Sequence, residues 1–157
     1  AQEIRTINIK TMCLTINPKE HVFWFNHYIP KVAKRDILVF KRLLLQTNGQ
    51  YITSYRAHPV NFVNGRTVLK ATIEVEKSRW SVATKWHRDR IIGPGIHSYR
   101  SMRYYFNYAI IPEGTTFYVG RNNDIVSEKL IIFQHLNDYT EYCAEKQITP
   151  RQYRQFD

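Results

Sequence analysis

Two short stretches share one pattern, Ile-x-Ser-Tyr-Arg: Ile52-Thr53-Ser54-Tyr55-Arg56 and Ile96-His97-Ser98-Tyr99-Arg100. On an extended chain a serine and an arginine two residues apart share a face, and the tyrosine between them takes the other. Two such strands set together would offer Ser54, Arg56, Ser98 and Arg100 to one anion. Guanidinium is the side chain best shaped for bidentate contact with a phosphate. The competing account is coincidence in a chain rich in Tyr and Arg.

The region from Lys77 to Arg103 adds a second constellation. It interleaves Arg79, Lys85, Arg88, Arg90, Arg100 and Arg103 with Trp80, Trp86, His87, His97 and Tyr99. Cations neutralise phosphates and exposed aromatic rings stack on bases, so this mixture suits a nucleotide-binding surface. Tryptophans beside strands are more often buried anchors, which is the plainer account of Trp80 and Trp86. The basic run Lys77 to Arg90 reads as a surface loop or short helix directly before the second Ser-Tyr-Arg strand. Lys85, Trp86 and Arg88 could then cover an anion cleft as a lid.

Other chemistry finds little support. Glu74 and Glu76 lie at strand spacing on what reads as a solvated face, Glu113 sits in a turn, and Asp124 and Glu128 flank a strand start. There is no His-Glu-x-x-His, phosphate-binding Gly-rich loop or nucleophile elbow. The six histidines are scattered without ligand spacing, so no metal site is expected.

The bulk properties agree with an anionic partner. Lys and Arg exceed Asp and Glu to give a net charge of +10, and the isoelectric point is near 9.7. That balance favours nucleic acid, a nucleotide or a phosphorylated metabolite, although a basic face also simply keeps a protein in solution. At 157 residues with 43% hydrophobic content, the chain is long enough to bury a core as one domain over 1–157. Cys13 and Cys143 stand far apart and read as reduced thiols. No run reaches the length of a membrane span and no charged-then-apolar leader opens the chain, so no membrane partner is expected.

The elements that must position these residues are short strands. Asp36 to Gln46 forms a β-branched and aromatic run ended by Asn48-Gly49, with Tyr51 to Arg56 returning as a hairpin. After Asn64-Gly65, Val68 to Glu76 alternates, with Leu69, Ala71, Ile73 and Val75 on one side. Gly93-Pro94-Gly95 turns into a strand over Ile96 to Arg100, and Ser101 caps a helix from Met102 to Tyr108. Tyr108 to Pro112, Thr115 to Val119 and Ile125 to Phe133 read as strands. Leu136, Tyr139, Tyr142 and Cys143 predict an amphipathic helix over 137–147, and Thr149-Pro150 a last helical turn. The aromatic segment Phe23-Trp24-Phe25 reads as a core edge; if exposed, it would mark an interface for a homo-oligomer or a host protein. These elements give an α+β domain with an antiparallel-rich, strongly curved sheet and a C-terminal helix packed on it.

Two resemblances bear on function. Met12-Cys13-Leu14, Ala33 to Lys41, the Tyr51-to-Tyr55 strand, Gly95-Ile96-His97-Ser98-Tyr99 and Ile111 to Gly120 resemble a family of small proteins of gut Bacteroides and their phages. This implies a phage or prophage origin and a place in the cytoplasm of a bacterial host. Phage proteins of this size include DNA-associated proteins and inhibitors of host defence that sequester signalling nucleotides. The second is similarity, in order along the chain, to the ADP-ribosyltransferase fold: Phe40-Lys41-Arg42, Gly95-Ile96-His97-Ser98-Tyr99 before a helix start, Pro112-x-Gly114 and a late Ser127-Glu128. It implies NAD as cofactor and roles for Arg42, Ser98 and Glu128. Val126 stands where that family has its earlier acid, and Lys41 competes for the place of its Arg, so an inactive relative that binds a nucleotide also fits. The first expectation is therefore a non-enzymatic binder of an anionic nucleotide or nucleic acid without a cofactor. The alternatives are an NAD-dependent enzyme and a virion or host-protein interaction protein.

Overall fold

A computed structural model describes residues 4–6, 14–16, 30–54, 57–77, 90–92, 95–102, 106–120, 124–154 and 157. The strands in chain order are β1 (Ile4–Thr6), β2 (Leu14–Ile16), β3 (Lys31–Val32), β4 (Ile37–Leu45), β5 (Tyr51–Thr53), β6 (Pro59–Val60), β7 (Arg66–Lys70) and β8 (Val75–Lys77). They continue with β9 (Arg90–Ile92), β10 (Ile96–Tyr99), β11 (Phe106–Ile111), β12 (Thr116–Val119), β13 (Asp124–Ser127) and β14 (Lys129–Phe133). The helix α1 (Leu136–Lys146) and β15 (Arg151–Gln152) follow.

The main sheet runs β1-β7-β14-β11-β4-β10-β13-β12-β3, and is antiparallel except where β1 joins β7 and β15 joins β4. Strands β13 and β14 are one stretch of chain broken at Glu128. The order β14-β11-β4-β10-β13 therefore begins and ends on that stretch, and the sheet curls tightly without closing into a barrel, since β14 also pairs β7 and β13 also pairs β12. Strands β2, β9 and β8 form a separate small sheet.

Alternation along each strand divides the core in two. The inner face buries Ile37, Val39, Leu43, Leu69, Ile96, Ala109, Ile111, Phe117, Ile125, Leu130 and Ile132. The other face presents Val68, Ile110, Ile131 and Phe133 to Tyr142 of α1, with Tyr139, Cys143 and Ile148 packed around them. Helix α1 starts where the Asp138 carboxylate accepts a hydrogen bond from His135 N at 2.9 Å. It stops at Gln147, which adopts the left-handed conformation (φ 55°) while Ile148 N donates to Cys143 O. Arg66 ties the helix to β7, with its guanidinium 5.0 Å from the Tyr142 ring centre and 3.6 Å from the Glu145 carboxylate. Burial pushes the Tyr139 hydroxyl and the Cys143 thiol up from their ordinary values.

Both Asn-Gly turns form as expected. Gly49 (φ 85°) closes β4 to β5, and Asn64-Gly65 (φ 55° and 77°) reverses the chain between Val63 and Arg66, which pair across it. Several boundaries differ from expectation. The strand from Tyr51 stops at Thr53, because the chain reverses again there: Thr53 N donates to His58 O, and His58 N donates to the Thr53 hydroxyl. The alternation from Val68 to Glu76 is real in burial as far as Glu74, yet residues 71–74 are not strand and β8 joins the small sheet. Phe106 and Asn107 are strand, not helix, so that β11 starts two residues before the strand expected from Tyr108; Phe106, Asn107 and Tyr108 pair with Arg42, Lys41 and Phe40. Aromatic and β-branched residues fit a pleated surface with cross-strand partners, and that outweighs the serine cap signal at Ser101. The strand expected over Ile125 to Phe133 breaks at Glu128, and Leu136 is exposed at the helix start. Beyond Thr149-Pro150 the chain is extended and pairs with the start of β4 instead of turning helically. The aromatic segment Phe23-Trp24-Phe25 lies outside the described residues.

Candidate functional site: an aromatic cavity beside Arg42

The far end of β4 carries Phe40 and Arg42 on the face that also bears α1. Opposite them in register are Tyr108 and Phe106 of β11, and Phe40 also faces Tyr99 of β10. Rings gather along this ladder: Tyr99 and Phe106 lie 5.1 Å apart, Phe40 and Tyr108 5.2 Å, Tyr108 and Tyr139 5.0 Å, Phe133 and Tyr139 5.5 Å. These are distances at which edge and tilted ring contacts are attractive.

Where the ladder ends, a cavity of about 580 Å³ opens between β4, β11, Tyr51 of β5 and the entry to α1. Phe106, Tyr108, Phe133 and Tyr51 give it aromatic walls, Arg42 its cation, and Gln134 and His135 a polar rim. Asn107 holds the far wall in place by donating from its side-chain amide to Phe133 O (3.0 Å) and Gln134 O (3.3 Å). Arg42 is exposed and makes no hydrogen bond or ion pair among the described residues. No carboxylate lines the cavity among the described residues, so Arg42 sets its electrostatic sign. A volume of this size, mostly apolar with a few polar groups, is what a small-molecule site requires.

The residues singled out from sequence are dispersed. Ser54 is exposed in the turn after β5, not on a strand face. Ser98 does share a face with Arg100, but that face is the inner one: Ser98 is 1% exposed, and its hydroxyl, like that of Ser127, is buried without a hydrogen-bond partner. The two serines therefore present no common solvent-open face. Arg100 is half-buried with its guanidinium 4.8 Å from the Tyr153 ring centre, and Lys31 approaches the same ring at 5.5 Å. Tyr99 is half-buried against Phe106, at the back of the cavity wall. Arg90 ends the small-sheet ladder opposite Lys77. Arg56, Lys85, Trp86 and Arg88 lie outside the described residues, as does the proposed lid.

Of the trio implied by the second resemblance, Arg42 lines the cavity while Ser98 leaves the opposite face of the sheet. Glu128 sits at the β13–β14 break and lines a different, smaller cavity. Lys41, the rival for the place of Arg42, points inward and is 7% exposed. The helix expected from Met102 hides the aromatic wall, because Phe106 belongs to the strand that continues through Tyr108. The signal was present in the unbroken aromatic and β-branched run that continues through Ile110 and Ile111.

What this geometry defines is a class of architecture, a curled antiparallel sheet with the helix α1 across its outer face and an aromatic cavity at the helix entry. Comparison of the chain with protein-family models, with curated proteins and with solved structures gives no match. Among the described residues no helix is long and apolar enough to cross a membrane, and no group of His, Cys, Asp and Glu could hold a metal ion.

Proposed function

We propose that the protein is a binder of a small anionic nucleotide, held in the cavity beside Arg42 without being transformed. The observation that carries this reading is an unpartnered guanidinium at the mouth of an aromatic cavity in a chain of net charge +10. Arg42 would meet a phosphate, and Phe106, Tyr108 and Tyr51 would take the base, the division of labour that stacking and charge impose on such ligands. Capture without turnover suits the phage setting implied by the first resemblance, where withdrawing a host signalling nucleotide is itself a function. The NAD-dependent alternative draws less support, because Arg42 and Ser98 leave opposite faces of the sheet and Glu128 belongs to another cavity.

Calorimetric titration with mononucleotides, cyclic dinucleotides and short oligonucleotides tests the proposal. Arg42→Ala should weaken the best ligand by about tenfold or more, the scale of one lost charge-assisted hydrogen bond. Equal affinity of the variant, or no affinity for any of these ligands, overturns it.

A further inference from the structure

Strands β14 and β7 place Lys129 directly opposite Lys70, with Leu130 opposite Leu69 beside them. Both leucines are fully buried on the inner face, so both lysines emerge on the other. Like charges facing each other across a ladder repel, and neither ammonium has a hydrogen bond or ion pair among the described residues. At their feet lies a cavity of about 440 Å³, lined also by Thr72, Thr115, Thr116 and Glu128.

The cavity follows from the break in the strand. Glu128 N donates to Thr116 O at 3.0 Å and Ala71 N donates to Glu128 O at 3.1 Å, so the end of β7 and the start of β12 are tied to the residue where β13 becomes β14. Pleating cannot continue through a residue whose two backbone groups serve different neighbours, and the seam opens there. The Glu128 carboxylate makes no ion pair with either lysine. It is instead close enough to Tyr118 to help burial push that hydroxyl above its ordinary value.

We propose that this seam is a second anion site, distinct from the Arg42 cavity, for a small phosphate monoester that also carries a hydroxyl or amino group. Lys70 and Lys129 together neutralise a phosphate dianion and relieve their mutual repulsion, while threonine hydroxyls offer further donors. Glu128 supplies selectivity: beside a bare inorganic anion its carboxylate is repulsive, and only a ligand with a donor near its phosphate turns that repulsion into a hydrogen bond.

The test titrates the protein with inorganic phosphate, glycerol phosphate and phosphoethanolamine, following amide chemical shifts. The two esters should bind more tightly than inorganic phosphate, with shifts centred on 70–72, 114–116 and 128–129. Lys70→Gln and Lys129→Gln should each weaken ester binding by about tenfold, and Arg42→Ala should leave it unchanged. Glu128→Gln should tighten inorganic phosphate and erase the preference for esters, a gain that structural damage would not produce. No saturable binding at millimolar ligand, lysine variants with unchanged affinity, or a loss on Arg42→Ala would each overturn the proposal. Because the Arg42 cavity is read out by nucleotides and this seam by small phosphate esters, either site can fail alone.

Discussion

The Lys41 ammonium donates to the backbone carbonyl of His97 at 2.7 Å from within the inner face of the sheet, where the lysine is almost fully buried. The bond joins β4 to β10 beside the ladder pair Phe40–Tyr99. Removing the side chain leaves a void and takes one donor from the His97 carbonyl. Lys41→Ala should cost about 3 kcal/mol in chemical denaturation, and Lys41→Met less, because it refills the volume and removes a desolvated charge. A neutral Lys41→Ala would show that the buried ammonium contributes nothing to holding these strands.

If the Arg42 cavity takes the end of a polynucleotide, affinity should fall steeply with salt, and Arg42→Ala should reduce the slope of log K against log salt by about one. For a mononucleotide the slope should be shallow in both proteins. Titrations across a salt series distinguish the two ligand classes on one protein preparation.

Gly65 combines a φ of 77° with closeness to α1: a Cβ there would run into the Asp138 carboxylate, which anchors the first turn of the helix at His135. Gly49, at φ 85°, has open space around the same position. Gly49→Ala should therefore show backbone strain alone, about 1 kcal/mol, and Gly65→Ala about 1 kcal/mol more for the displaced cap. Equal thermal shifts for the two variants would contradict the contact.

Asp157 accepts hydrogen bonds from the Arg35 guanidinium and from Arg154 N. Burial pushes its carboxyl up, but the Arg35 hydrogen bond, the Arg154 amide and the two positive charges outweigh it and hold the group below its ordinary 3.8. A folded value below the unfolded one means stability that is present above the ordinary value and lost as pH falls through the folded one. Asp157→Asn should cost about 1 kcal/mol at neutral pH, and the gap should close as the solution is acidified below about pH 4. A gap that persists at low pH would assign the loss to packing instead.

The parts of the fold legible in the sequence are those fixed by local chemistry. Asn48-Gly49 and Asn64-Gly65 announce their turns because each needs positive φ, at Gly49 alone in the first and at both residues in the second, and Tyr139, Tyr142 and Cys143 announce α1 by their spacing. Partnership across long distances is not written locally. Nothing in Phe40-Lys41-Arg42 says that the lysine goes inward and the arginine outward until β11 and β10 fix the register. Ser98 shows the same limit: the Ser-Tyr-Arg pattern correctly puts Ser98 and Arg100 on one face, yet only the packed sheet shows that the face is interior. Lys70 and Lys129 could not be paired from sequence, since their meeting depends on the break at Glu128.

That break also orders events in time. The ladders beside the two cavities join distant parts of the chain, Arg42 with Phe106 and Lys70 with Lys129, and the cavities are completed only by residues from Glu128 onward, Glu128 and Lys129 for one and Phe133 to Leu136 for the other. Pairings of such long reach form slowly, because the loop must close before the contact rewards it. On the ribosome neither cavity can exist until the stretch beyond Glu128 has emerged. A ligand that fills either one then recognises only finished molecules, and would serve as a reporter of completed folding as much as of binding.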